Sequence, residues 1–83
     1  MTAPEWLTQR GGALKLGSDE TTWYVVFNGK PLYGFHCVPA GGKFGCSIKQ
    51  TMNGSRVPSP HVHDTTDAAL KAGLEEVRAT LGW

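Results

Sequence analysis

From residue 22 onward, apolar runs separated by two-residue turn signals predict a series of β-strands. The segment 22–27 (TWYVVF) is aromatic and β-branched, which favours a strand, and Asn28-Gly29 is typical of a two-residue hairpin. Further turn signals lie at Gly41-Gly42 and Asn53-Gly54. The pattern therefore predicts strands over about residues 22–27, 30–40, 43–52 and 55–57, the last of them ending at Pro58.

The C-terminal segment instead has the period of an amphipathic helix, over about residues 66–81. Asp64 or Thr65 is suited to cap the start of this helix, and Gly82 is suited to end it. Apolar side chains recur at intervals of four and three residues, which places them in one stripe that should cover a face of the sheet. The stripe consists of Leu70, Leu74, Val77 and Leu81.

Each hairpin loop also predicts a strand register, and each register contains a proline. In a two-residue hairpin the pair next to the loop is hydrogen-bonded, and hydrogen-bonded and non-hydrogen-bonded pairs then alternate. Each of these three prolines falls at a non-hydrogen-bonded position toward its partner, where the missing N–H is tolerated. The predicted pairs are Val26 with Pro31, Pro39 with Phe44, and Lys49 with Pro58.

Because successive side chains of a strand alternate, this register assigns residues to two faces. The face beneath the helix receives Tyr24, Val26, Tyr33, Phe35, Cys37, Phe44, Cys46, Ile48, Met52 and Val57. The opposite face receives Lys30, His36, Lys43, Ser47, Lys49, Thr51 and Arg56, together with Trp23, Val25, Phe27, Leu32 and Val38. The predicted fold class is α+β: a three- to four-stranded antiparallel β-meander with one C-terminal helix packed across one face.

A length of 83 residues allows one domain. We expect residues 22–83 to form a single α+β domain and residues 1–21 to form an N-terminal arm, with a short strand at 14–16, that packs on it. Four large apolar side chains on the outer face need a cover, because such groups rarely stand together in water. Either the arm covers them or a second subunit does, so the protein is predicted to be a monomer or a homodimer.

The distribution of charge is more informative than the net charge of +1. The segment between Glu20 and Asp64 contains no acidic residue, and the register places its basic residues on the outer face. Lysine and arginine neutralise phosphates, and an aromatic ring stacks on a base, so this face favours nucleic acid as a ligand. The candidate binding residues are Lys30, Lys43, Lys49, Arg56, Trp23, His36 and Ser47.

Two other interpretations of the same face are open. Lysines also serve as the solvated side of a one-layer sheet and protect edge strands from aggregation. Alternatively, the apolar part of the face is a protein–protein interface, formed by Trp23, Val25, Phe27 and Leu32.

The sequence predicts no enzyme and no cofactor. His36 and Ser47 are paired across the hairpin, but a serine nucleophile also needs an orienting acid and an oxyanion hole, and this face has no carboxylate. Cys37 and Cys46 are also paired, on the core side, at a separation that a disulfide tolerates. We expect buried free thiols in a reducing compartment, although the pairing leaves the redox state open.

The segment 61–64 (HVHD) places two imidazoles on the same side of an extended chain. His61, His63 and Asp64 are the candidate metal ligands, because histidine and aspartate bind zinc and other transition metals. An isolated His-x-His motif supplies too few ligands for a closed site, so no metal is predicted.

The hydropathy pattern argues against a membrane. No apolar run approaches the roughly 20 residues that cross a bilayer. The first residues, MTAPEW, contain neither a basic region nor an apolar core and do not resemble a signal peptide. The sequence therefore predicts a cytoplasmic protein.

The segment 64–73 (DTTDAALKAG) resembles the helix start of HicB-type antitoxins, a family whose domain also has the order β-β-β-α. This resemblance covers the final helix and implies a toxin-binding or regulatory protein without catalysis. The outline is also similar to that of integrase arm-type DNA-binding domains, whose sheet enters the major groove. A nucleic-acid-binding module and a protein-interaction or antitoxin-like module are thus the two expected classes of function.

Overall fold

The chain folds into one antiparallel sheet with a long helix on one side. The computed structural model describes residues 2–59 and 61–83. Its elements are α1 (Glu5–Thr8), β1 (Gly12–Leu16), β2 (Trp23–Phe27), β3 (Lys30–Ala40), β4 (Lys43–Gln50), β5 (Arg56–Val57) and α2 (Thr66–Leu81). The strands lie in the order β1-β2-β3-β4-β5, and α2 packs on β3 and β4. The predicted α+β meander with a C-terminal helix is confirmed, and the short strand expected at 14–16 adds a fifth strand to the sheet.

The ends of α2 are fixed by its own sequence. Thr65 caps the start, since its Oγ1 accepts a hydrogen bond from the Ala68 N–H at 3.1 Å. Gly82 adopts a left-handed conformation with φ of 78°, which lets the Trp83 N–H donate back to the Arg78 carbonyl at 3.0 Å.

None of the described helices is long and apolar enough to cross a membrane.

A glycine brings α2 close to the sheet. Gly73 lies on the buried side of the helix, directly over Cys46 of β4. A Cβ at this position would lie well inside the contact distance of the Cys46 sulfur. The absence of a side chain at Gly73 therefore lets the helix approach β4 closely at this point.

The predicted register of β3 and β4 is confirmed along its whole length. His36 is paired with Ser47, and Cys37 with Cys46. Since this hairpin contains no irregularity, each side chain lies on the face that strict alternation assigns to it.

The predicted pairing of β4 and β5 is wrong by two residues. Lys49 is paired with Arg56 rather than with Pro58, because the connection is a longer loop in which the Gln50 N–H donates to the Ser55 carbonyl at 2.9 Å. A shift of two residues leaves each residue on the same face, so Arg56 still lies beside Lys49. Met52, which was expected in the core, lies in this loop and is 89% exposed.

A β-bulge changes the register between β2 and β3. Next to the turn, Val26 is paired with Pro31 as predicted, but farther along the strands Val25 is paired with Tyr33. Leu32 is left without a partner on β2. Because β3 contains one extra residue, the residues of β2 beyond the bulge lie on the face opposite to the one that the unbroken register predicts.

The bulge reverses the predicted faces of β2. Val25 is fully buried, in one cluster with Tyr33 and Phe35. Tyr24 and Val26 instead point to the side away from α2 and are not part of that cluster. The side chains predicted to stand on the outer face therefore pack in or against the core beneath the helix: Trp23, Val25, Phe27 and Leu32.

Thr51 holds the backbone of the bulge. Its N–H donates to the Leu32 carbonyl at 3.0 Å, and its Oγ1 donates to the Pro31 carbonyl. Two carbonyl groups of the irregular segment thus gain a partner from the residue that follows β4, which offsets the hydrogen bonds that a bulge removes from the ladder.

The N-terminal arm completes the core within a single chain. Leu7 of α1 is fully buried in the main cluster. The ring of Trp6 meets that of Trp83 edge to face, with a centroid distance of 6.2 Å, and Trp83 meets Phe27 at 5.2 Å. The guanidinium of Arg10 lies 4.8 Å from the centre of the Trp83 ring. Both ends of the chain thereby pack against β2.

If the arm is part of the core, removing one buried side chain from it lowers the stability of the whole domain. Leu7→Ala should lower the free energy of unfolding in urea by about 2–4 kcal/mol, the usual range for a buried leucine. Gln9→Ala is the control, because Gln9 is exposed on the same arm and its replacement should change stability by less than about 0.5 kcal/mol. Equal stabilities of the two variants would show that the arm does not contribute to the core.

The close approach at Gly73 predicts that substitutions at Gly73 and Cys46 have coupled effects on stability. Gly73→Ala should destabilise the protein by about 1–3 kcal/mol, because the added methyl group overlaps the Cys46 sulfur. Adding Cys46→Ala removes that sulfur and should recover part of the loss in the same urea measurement. Additive effects of the two substitutions would contradict the contact.

Candidate functional site

The face of the sheet turned away from α2, here called the outer face, carries a row of residues that crosses all the strands. Lys15 is paired with Tyr24, Tyr24 with Gly34, Gly34 with Lys49, and Lys49 with Arg56. Directly paired residues share a face and lie about 4.5–5.5 Å apart. This cross-strand row (Lys15, Tyr24, Gly34, Lys49 and Arg56) therefore has basic residues toward both edges of the sheet and an aromatic ring between them.

His36 and Ser47 lie beside the row. They are paired with each other, and each is two residues along its strand from a member of the row. With Lys49 they line two adjoining surface cavities of about 410 and 510 Å³. The first cavity extends to Tyr24 and the second to Arg56. The open surface is thus a shallow depression with cations, an imidazole and a hydroxyl along it.

Two glycines hold the ring of Tyr24 in place. A Cβ at Gly34 would lie 3.1 Å from Cε1 of the ring, and a Cβ at Gly17 would lie 2.9 Å from Cε2. The ring therefore lies in a slot that larger residues on the neighbouring segments would close. Tyr24 lines the 410 Å³ cavity and also a smaller one of about 200 Å³, together with Val26 and Pro31.

The structure brings together two of the four basic residues predicted from the sequence, and a third lies on the same face. Lys49 and Arg56 are neighbours on the outer face. Lys43 also lies on this face, but its Nζ is 3.0 Å from the Asp64 carboxylate at the edge of the sheet. An exposed ion pair of this kind contributes little to stability, yet it partly neutralises the charge that Lys43 offers to a ligand.

Lys30 and Trp23 were wrongly assigned to the outer face. Lys30 is paired with Phe27, which packs against the core, so the Lys30 side chain begins on the helix side at the end of the hairpin. Trp23 is paired with Phe35, which is fully buried on the helix side. The cation and the aromatic ring on this part of the outer face are instead Lys15 and Tyr24. Sequence reasoning missed both residues, because no signal in the sequence indicated the bulge.

The apolar residues expected on the outer face do not lie on that face. Its four residues (Trp23, Val25, Phe27 and Leu32) belong to the core or pack against it. Large hydrophobic side chains that the structure does expose, among the residues described, are Leu16, Met52, Val62 and Trp83, and they do not form this patch.

The strands of the outer face carry no acidic residue, although Asp64 pairs with Lys43 at its edge and Asp19 lies in the turn near Tyr24. On α2, Lys71 pairs with Asp67 at 3.2 Å and Arg78 with Glu75 at 3.7 Å, so the helix side carries mixed charge. The described strand residues of the outer face include basic side chains and no carboxylate. The strands of the outer face therefore carry an excess of positive charge, whereas the helix side carries charges of both signs.

The carboxylate of Asp19 is occupied within the turn between β1 and β2. It accepts hydrogen bonds from the backbone N–H groups of Thr22 and Thr21, both at 2.9 Å, and from the Thr22 hydroxyl at 2.8 Å. These bonds, led by that from the Thr22 N–H, hold the pKa of Asp19 well below its usual range. The turn next to the 410 Å³ cavity is thereby fixed by an ionised side chain that is already hydrogen-bonded.

Two of the three candidate metal ligands form other contacts, His63 through its backbone and Asp64 through its carboxylate. His63 forms backbone hydrogen bonds with Phe44 in both directions at 2.8 Å, which extends the edge of the sheet. Asp64 pairs with Lys43. Across residues 2–59 and 61–83, no group of three or more His, Cys, Asp or Glu side chains is arranged to hold a metal ion.

The two cysteines are free thiols beneath α2. Cys37 Sγ donates to the Thr66 carbonyl at 3.3 Å, and Cys46 is buried under Gly73. Burial raises the pKa of Cys37, and burial together with the neighbouring Cys37 raises the pKa of Cys46 to about 12. Both thiols are therefore protonated at neutral pH, which makes them poor nucleophiles.

Comparison of the chain with protein-family models, with curated proteins and with solved structures found no match. The function is therefore inferred from the geometry of the outer face.

The raised pKa of Cys46 predicts a slow reaction with alkylating reagents. In a Cys37→Ala variant, which leaves Cys46 as the single thiol, iodoacetamide at neutral pH should react more slowly by roughly a hundredfold or more than in denaturing urea. Intact mass against time measures both rates. Similar rates in the folded and unfolded states would show that Cys46 is neither buried nor protonated as described.

Proposed function

We propose that this protein is a non-catalytic nucleic-acid-binding protein that uses the outer face of its sheet. The observation that supports this most directly is the cross-strand row, which places cations toward both edges of an open sheet surface without a carboxylate in the described strands. Sequence-independent affinity for nucleic acid comes mainly from such cations, because they release counterions from the phosphates.

Each residue of the face has a defined part in this proposal. Lys15, Lys49 and Arg56 contact phosphates, and arginine can do so with two parallel hydrogen bonds. His36 and Ser47 supply hydrogen bonds to bases or sugars from the middle of the face. Lys43 contributes less, because Asp64 shares its charge. The proposal includes the cytoplasmic location that the sequence predicts.

Salt dependence of binding tests the proposal. Fluorescence anisotropy of labelled single- and double-stranded oligonucleotides, measured from about 50 to about 200 mM salt, should show affinity that falls steeply as salt rises. Replacing two phosphate contacts in Lys49→Gln/Arg56→Gln should reduce the slope of log K against log salt by about 1.4–1.8, since each contact contributes about 0.7–0.9.

A matched control distinguishes binding by the outer face from a general effect of the protein's net charge. Lys30→Gln/Lys71→Gln removes the same charge from the helix side of the domain and should leave both the affinity and the slope nearly unchanged. Equal losses in the two double variants would mean that the outer face is not the binding surface. No binding by the parent protein at the lowest salt would contradict the proposed function itself.

A further inference from the structure

The position of Tyr24 gives the outer face a stacking surface as well as charge. The ring packs closely between Gly17 and Gly34, and it borders open cavities of about 410 and 200 Å³. A ring that is already held in one orientation loses little conformational freedom when a second ring stacks on it. Base–aromatic stacking of this kind is a main source of affinity in proteins that bind single strands.

The cavity beside Tyr24 suits one base. Its volume of about 410 Å³ lies within the range of small-molecule pockets. Besides Tyr24, His36 and Ser47 line this cavity. Imidazole and hydroxyl groups can pair with the polar edge of a base, which is free to form hydrogen bonds only when it is not already paired.

Cations lie on both sides of the ring along the cross-strand row. Lys15 is on the strand next to Tyr24, and Lys49 is two strands away on the other side, beyond Gly34. A single strand of nucleic acid presents phosphates on either side of each base. The row therefore has the ring between two cations, which matches that alternation.

The width of the sheet argues against a duplex. Neighbouring strands are about 4.8 Å apart, so a row across five strands spans about 19 Å between its outermost strands. The major groove of DNA is only about 12 Å wide, so this face cannot enter it flat. In a duplex, moreover, both faces of an internal base are covered by its neighbours, and Tyr24 would have nothing to stack on.

We infer that the ligand of the outer face is single-stranded nucleic acid, with one base stacked on Tyr24 in the cavity that His36 and Ser47 also line, and the flanking phosphates on Lys15 and Lys49. This inference rests on the proposed function and names its ligand class. RNA and DNA share the required chemistry, namely an unpaired base between two phosphates.

Substitutions at Tyr24 test the stacking contact. Anisotropy titrations with oligouridine, oligothymidine and a duplex of the same length should show that the single strands bind more tightly, by about tenfold. Tyr24→Leu should weaken single-strand binding by about tenfold, whereas Tyr24→Phe, which keeps the ring, should stay within about twofold of the parent. Tyr24→Thr is a second ring-free variant that suits a strand, and circular dichroism verifies that each variant is folded.

The outcomes distinguish the inference from the proposed function. Tyr24-dependent binding of either oligonucleotide supports the inference, and the tighter of the two identifies the sugar. If the duplex binds as well as the single strands, or if the ring-free variants bind normally while Lys49→Gln/Arg56→Gln does not, the inference is wrong and the proposed function stands. If the parent protein binds no oligonucleotide at low salt, both are wrong.

Discussion

The arrangement of this domain depends on one β-bulge. Leu32 is an extra residue of β3 between the partners of Val25 and Val26, and Thr51 binds the carbonyl groups of Pro31 and Leu32. With regular alternation, Trp23 and Val25 would lie on the face opposite to Tyr33 and Phe35. The bulge places all of them on the helix side, where burying each large apolar side chain contributes about 1.5–3 kcal/mol.

The same bulge determines the outer face. When Trp23 and Val25 turn toward α2, Tyr24 turns away from it and comes into line with Gly34 of β3 and Lys15 of β1. The row is therefore a consequence of how the core is packed, and the ring and the cations lie on rigid strands rather than on loops. Such a surface is organised before a ligand arrives, which lowers the cost of ordering it on binding.

Regular segments of the fold were predictable from sequence, and irregular ones were not. The β3–β4 hairpin and α2 follow local rules, a two-residue glycine turn and a capped apolar stripe, so His36, Ser47 and Lys49 were assigned to the correct face. The segment 23–27 (WYVVF) is apolar at every position, so its pattern cannot show which side is buried. The bulge depends on hydrogen bonds from Thr51, far along the chain, and for that reason Lys15 and Tyr24 were missed.

The most direct test of the account is an amide NMR titration of isotopically labelled protein with a short single-stranded oligonucleotide at low salt. The account predicts shifts concentrated along the cross-strand row (Lys15, Tyr24, Gly34, Lys49 and Arg56) and at His36 and Ser47, which fade as salt is raised. Shifts centred on Lys30 and Trp23, shifts confined to α2, or no shifts at low salt would contradict it.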